Sequence, residues 1–200
     1  MNKPWTMLKL FAGLCKSPNS PNLYWPLLFL ARTEQQKKDN EKLFTESEIW
    51  ERVQKENLNL METMQNLDNY KKGSVAEFYK AFCVYWNIDT EEYFGVGSRP
   101  VVEPRHVMLQ RQLASHDLAH VILGYDGSLK GEMQVVTFQY GQSKNIGFLL
   151  IALAISWRYI SSPYLMWKAY WRGKRTMRLE TMDWETVLRM KVSEIQRMFA

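Results

Sequence analysis

Two imidazoles and a carboxylate fall close together at His116, Asp117 and His120, and a second carboxylate, Glu132, follows after eleven intervening residues. On an α-helix the i, i+1, i+4 spacing puts both imidazoles on one face, one turn apart, with the carboxylate beside them. Such a face can aim at one ion. Glu132 supplies a fourth donor if the glycine-bounded stretch Gly124–Gly131 is a tight turn and Glu132 opens an antiparallel helix. A set of imidazole and carboxylate donors suits Zn²⁺ or Fe²⁺ best, and Mn²⁺ or Mg²⁺ where carboxylate and water dominate the shell. The metal-ligand set is therefore His116, Asp117, His120 and Glu132, of which His116, Asp117 and Glu132 are also the candidate catalytic groups. On spacing alone a second reading stays open, in which the two histidines merely hydrogen-bond Asp117 and Glu132 on a helix face. The remaining histidine, His106, is ten residues from His116, about 15 Å along a continuous helix, and reads as a packing or surface residue. A phosphohydrolase of the H-D type needs more His and Asp ligands than that leaves.

Those residues need rigid helices beneath them, and the sequence supplies the signals. Pro104 suits a first helical turn, and Gly124 is a usual C-terminal stop, so one helix is predicted from Pro104 to Leu123. The turn Tyr125-Asp126-Gly127-Ser128 then leads to a helix from about Leu129 to Tyr140. Thr45-Glu46-Ser47-Glu48 reads as a capping box opening a helix with Trp50, Val53, Leu60, Met61, Met64 and Leu67 inward, and Ser74-Val75-Ala76-Glu77 as a second one. The latter leads into Phe78, Phe82, Tyr85 and Trp86, an aromatic face expected to be core. Gly95 to Pro104 reads as a loop. The apolar run Ile146–Ile155 is half the length of a spanning helix; its alternatives are a buried core helix or one lining a greasy pocket. After Ser161-Ser162-Pro163 comes a Trp/Tyr helix to Gly173, then an amphipathic helix from about Asp183 with Val187, Leu188, Val192, Ile195, Met198 and Phe199 inward. The expected fold is all-α and a single domain, in which an N-terminal helical region, 1–72, joins the motif-bearing region 73–200.

Composition agrees, with 46% hydrophobic and 24% charged residues over 200 positions, a balance that excludes disordered, collagenous and coiled-coil chains. Two cysteines, Cys15 and Cys83, make neither a disulfide framework nor a zinc ribbon. Charge is segregated: residues 1–33 hold four basic and no acidic side chains, 34–132 twelve against seventeen, and 133–179 seven against none. The last stretch interleaves Trp157, Tyr159, Tyr164, Trp167, Tyr170 and Trp171 with Arg158, Lys168, Arg172, Lys174 and Arg175. It reads as a lipid-headgroup or membrane-surface face, since the basic residues follow an unusually apolar segment; nucleic acid is not an expected partner. The N-terminal stretch is broken by four prolines and carries neither a signal-peptide pattern nor the arginine content of a mitochondrial transit peptide. The expected location is the cytoplasmic face of a bacterial inner membrane, ahead of the mitochondrial matrix side.

The setting HDLAHVILGYDGSLKGE also resembles the H-D-x-x-H…G-E signature of the coenzyme Q biosynthesis family, including its scaffold member, over a stretch from about Gly73 to the C-terminus. Arg105-His106 stands where that family carries an arginine-tyrosine pair, and MQVVTFQYGQ follows Glu132 in place of its Ala/Lys/Phe pattern. The resemblance implies an all-helical peripheral membrane protein with a metal at His116, Asp117, His120 and Glu132 beside an apolar tunnel for a polyprenyl tail. It further implies oxidative decarboxylation with hydroxylation at ring carbon one of a polyprenyl hydroxybenzoate, alongside a scaffold role. The lipid pocket is assigned to Phe78, Phe82, Phe148, Leu149, Ile151, Ala152 and Ile155, and the headgroup site to Arg158, Lys168, Arg172 and Arg175. Expected partners are the polyprenyl lipid, a membrane surface, other quinone-biosynthesis proteins and a second copy of the chain.

Overall fold

The computed structural model describes residues 3–18, 20–56, 58–88 and 104–199. The fold is all-α, and among the described residues the only extended pairing is an isolated antiparallel bridge between Ser74 and Lys191. The helices are α1 (Lys3–Lys16), α2 (Pro21–Ala31), α3 (Glu34–Thr45), α4 (Glu48–Glu56), α5 (Leu60–Gln65), α6 (Val75–Trp86), α7 (Pro104–Leu123), α8 (Leu129–Ser143), α9 (Ile146–Ser156), α10 (Ser162–Arg175), α11 (Trp184–Val187) and α12 (Val192–Met198), with a 3₁₀ turn at Leu179–Thr181. No helix among the described residues is long and apolar enough to cross a membrane. The loop read between Gly95 and Pro104 and the side chain of His106 lie outside the described residues. The chain forms two interleaved compact units, one from residues 1–39 and 125–177, the other from 40–124 and 178–200.

In the first unit α8 packs against both α9 and α10. A Cβ on Gly141 would lie 2.4 Å from the Tyr170 carbonyl oxygen, and one on Gly173 would lie 2.1 Å from that of Phe138. Only residues without a side chain allow α8 and α10 to approach so closely. The start of α9 is tied to α2 by the buried Asn145, whose side chain accepts from the Gly147 N–H at 3.0 Å and donates to the Leu28 carbonyl at 3.2 Å. The core of this unit gathers Leu14, Leu27, Leu28, Met133, Val136 and the inward side chains of α9.

In the second unit α7 packs against α5, α6, α12 and the 3₁₀ turn. Arg111 on α7 is 1% exposed. Its guanidinium donates to both Glu185 carboxylate oxygens, at 3.1 and 3.3 Å, and to the Met182 carbonyl at 2.7 Å. The buried Trp184 donates its indole N–H to the Leu179 carbonyl at 2.8 Å, which holds the same C-terminal segment in place.

Several expectations need correction. Thr45 ends α3 instead of capping α4, its hydroxyl donating back to the Lys42 carbonyl, and the expected long helix is divided into α4 and α5. The second capping box stands: the Ser74 hydroxyl accepts from the Glu77 N–H at 3.2 Å, and the Glu77 carboxylate accepts from the Gly73 N–H. The buried stripe of α6 is Val75, Ala76, Tyr79 and Cys83, whereas Phe78 and Tyr85 are exposed. The last amphipathic run is broken into α11 and α12, with Met198 exposed.

Arg111→Ala strands the Glu185 carboxylate in a nearly dry site, so it should lower stability by about 3–5 kcal/mol in denaturant unfolding. Replacing both partners, Arg111→Met with Glu185→Leu, should recover most of that loss; equal destabilisation by both variants would show that the pair is not what matters.

Candidate metal centre

The positioning of the histidines begins with the ends of α7. Gly124 stops the helix in the left-handed region at φ 70°, where glycine avoids the Cβ clash. The Gln196 side chain donates to the Val121 carbonyl at 2.9 Å, satisfying one of the carbonyls that a helix end leaves without a partner. Between that end and Arg111 the helix is continuous, and His116, Asp117 and His120 lie on it with His120 buried and the other two half-buried. The two imidazole rings stand 5.5 Å apart between centroids with their planes 78° to one another. The Phe82 ring stacks on His120 at 5.2 Å and 27°. Two neighbouring imidazoles, one held by an aromatic ring, with a carboxylate on the same turn, fit a divalent ion in donor chemistry.

Beside this turn, α6 brings two groups that sequence spacing did not single out. Tyr79 is buried, with its hydroxyl beside the Cys83 thiol. Burial pushes its phenol far up, and the nearby Asp117 charge pushes in the same direction. Burial likewise pushes the Cys83 thiol up to about 11, against a weaker downward pull from Tyr79 and with Asp117 adding to the rise. In the metal-free protein both groups hold their protons at neutral pH. Their i, i+4 spacing on the buried stripe of α6 was the available signal.

Glu132 belongs to the first unit, in the first turn of α8. Ser128 caps that helix, accepting from the Gly131 N–H at 3.3 Å, and Asp126 in turn accepts from the Ser128 N–H at 3.1 Å. The Glu132 N–H donates to the Ser128 carbonyl at 2.8 Å. A Cβ at Gly131 would lie 1.8 Å from the Asp126 carbonyl oxygen. The glycine before the glutamate is therefore a steric requirement of the turn that starts α8.

The other sequence-assigned residues are distributed unevenly. Phe148, Ile151, Ala152 and Ile155 are buried in the first unit's core, and Leu149 is half-buried on the same helix. Phe78 is exposed and Phe82 half-buried on α6. The Arg158 guanidinium donates to the Ala154 and Cys15 carbonyls, each at 2.7 Å, and lies 4.5 Å from the Trp157 ring centre. Lys168 is exposed, Arg172 lies over the Tyr125 ring at 5.4 Å, and Arg175 over Trp171 at 5.6 Å.

Residues 41–200 match a family model described as coenzyme Q (ubiquinone) biosynthesis protein Coq4. The fold resembles the crystal structure of a candidate ubiquinone biosynthesis protein from Nostoc punctiforme PCC 73102, with a TM-score of 0.65 at 15% identity over 98% of this chain and 94% of that one. No curated protein matches the sequence.

Gly131→Ala should destabilise the fold, because the methyl group meets backbone and cannot be accommodated by a side-chain rotation; a cost of at least ~1–3 kcal/mol is expected from overpacking. An unchanged unfolding midpoint would contradict the geometry. Cys83 should resist alkylation at pH 8 in the folded protein and react once it is unfolded, as read by mass spectrometry. Since the folded thiol holds its proton more tightly than an unfolded one, whose ordinary value is 9.0, its contribution to stability is present below pH 9 and is lost as pH rises towards about 11.

Proposed function

The chain belongs to the coenzyme Q (ubiquinone) biosynthesis Coq4 family, and on that premise we propose that it is a metal-containing protein of isoprenoid-quinone synthesis that binds a polyprenylated aromatic acid and replaces its ring carboxyl group, lost as CO₂, by a hydroxyl, with an external two-electron oxidant such as dioxygen taking up the electrons. Its role in ubiquinone biosynthesis follows from the family. The observation that carries the finer reading is the pair of adjacent imidazoles on α7 with Asp117 beside them.

In this reading His116, Asp117, His120 and Glu132 hold the ion, which their nitrogen and oxygen donors favour as Zn²⁺ or Fe²⁺ over Mg²⁺ or Mn²⁺. When bound, the ion supplies Lewis acidity at a carboxylate or phenol oxygen of the head group. The chain's own residues do the rest. Phe82 stacks on the His120 ring and restricts its rotation. Asp117 serves as ligand or as the partner that fixes an imidazole tautomer. Tyr79 and Cys83 remain protonated and add no negative charge beside Asp117. Of the residues assigned to the prenyl tail, Phe78, Phe82 and Leu149 have surface to offer, while Phe148, Ile151, Ala152 and Ile155 form the apolar layer beneath Leu149 on α9. A prenylated substrate of this kind is membrane-borne, so the protein works at a lipid surface, with other quinone-biosynthesis proteins as its neighbours.

The second reading keeps the lipid and makes the protein a non-catalytic scaffold; the exposed aromatic side chains of α10 favour it, because they offer contact area to a partner. Elemental analysis of purified wild-type protein should find about one divalent metal per chain, lost in His116→Ala and in Glu132→Ala. Absence of metal from the wild type, or its retention in both variants, would sink the metal reading. Turnover of a prenylated hydroxybenzoate then separates enzyme from scaffold.

A further inference from the structure

The first unit is strongly cationic. Residues 1–39 and 125–177 hold thirteen lysines and arginines against four acidic residues, while the rest of the chain holds thirteen against seventeen. From Met133 to Met177 there is no acidic residue. Within this unit the turn between α9 and α10 leaves apolar side chains uncovered: Leu153, Trp157, Ile160, Tyr164 and Trp167 are all exposed, Ile160 fully. Scattered exposed apolar residues are ordinary, but a group this dense marks an interaction surface. Leu153, Trp157, Arg158, Ile160 and Met166 help to line an open groove of about 590 Å³ at the same turn. Arg158 is anchored to two backbone carbonyls and packed on Trp157, so it supports that ring in its outward position.

The pattern continues along α10. Tyr164, Trp167, Lys168, Trp171, Lys174 and Arg175 recur at three- and four-residue spacing, which places them on one side of the helix. Lys174 and Arg175 lie 4.6 and 5.6 Å from the Trp171 ring centre. The buried side of the same helix is Ser162, Ala169 and Gly173, small residues that pack inward. Leu165 and Met166 also pack on the core, so it is the outward aromatic rings of α10, not its outward cations, that run against what stability alone would select.

We propose that the α9–α10 turn and the outer side of α10 dock the protein on an anionic lipid bilayer. Trp157 and Ile160 enter the boundary between headgroups and acyl chains, where Trp is favoured, and Lys168, Lys174 and Arg175 meet lipid phosphates. Charge complementarity selects an anionic partner, and the uncharged tip of Leu153 and Ile160 selects hydrocarbon over nucleic acid, to which those side chains offer neither hydrogen bond nor stacking face. The proposal deepens the reading of a membrane-borne substrate by naming the surface that meets the membrane.

The test is flotation of the full-length protein with vesicles of phosphatidylcholine alone or with 30% phosphatidylglycerol (an experimental choice of about the anionic content that polybasic surfaces sense). The wild type should bind the anionic vesicles on the order of tenfold better, with binding that weakens in high salt. Trp157→Ser with Ile160→Ser should lower binding about tenfold or more, and Lys168→Glu with Lys174→Glu should abolish the anionic preference. Val84→Ser with Tyr85→Ser, exposed on α6, should change nothing. Far-UV circular dichroism verifies folding of each variant. Binding that survives the Trp157/Ile160 change, equal binding to both vesicle types, or loss of self-association in place of vesicle binding would overturn the proposal. Metal content of the same preparations separates the two readings: vesicle binding without metal leaves this surface standing and the metal reading fallen, and metal without vesicle binding does the converse.

Discussion

A buried guanidinium cannot be left without partners, and this constraint governs the second unit. Arg111 sits in α7 almost without solvent, so its charge must be met by Glu185 and by the Met182 carbonyl. Both partners come from the C-terminal segment, whose own position is held by Trp184 against the Leu179 carbonyl. A further link from the same end of the chain, Gln196 to the Val121 carbonyl, reaches the last turn of α7. His116 and His120 lie between these two attachments. Polar bonds are directional where apolar packing is not, so the clamp sets the rotation of α7 about its axis and with it the side to which both imidazoles point.

The first unit obeys a different rule. Its helices meet by backbone approach at Gly141 and Gly173, and by apolar packing around α9. Such a core is apolar, and most of this unit's cations lie at its surface, with Arg32 a buried exception. Their cost in mutual repulsion is tolerable in water, where screening shortens the interaction to about 10 Å at ordinary salt. A unit that holds thirteen cations against four acidic residues is better matched to an external anion than to its own fold.

Much of this was legible in sequence wherever a local signal coincided with a structural need. Pro104 and Gly124 bound α7, Ser128 and Gly131 begin α8, and Ser74 with Glu77 caps α6. The H-D-x-x-H spacing placed two imidazoles on adjacent turns because helical period alone decides that. What sequence did not show depends on partners distant in the chain. Thr45 carries capping chemistry, yet α3 runs through it and uses its hydroxyl at a C-terminal end. The aromatic residues of α6 looked like core by hydrophobicity, whereas its buried residues are Val75, Ala76, Tyr79 and Cys83, and Phe82 reaches α7 as a half-buried ring stacked on His120. Nor does hydrophobic pattern announce that the first unit is assembled from two separated stretches of chain.

The groups around His120 also narrow the chemistry in a way that the motif does not. Cys83 is one helical stripe away from the histidines and would, as a thiolate, favour a closed structural zinc site of the sulfur-rich kind. Burial keeps it protonated, and the Asp117 charge reinforces that. The same two influences hold Tyr79 as a phenol. Sulfur or phenolate ligation would therefore have to displace a tightly held proton, a cost that favours the two imidazoles and the carboxylate of α7 as donors. Sites of that composition bind ions that retain exchangeable positions, which is the property needed by a centre that meets a substrate.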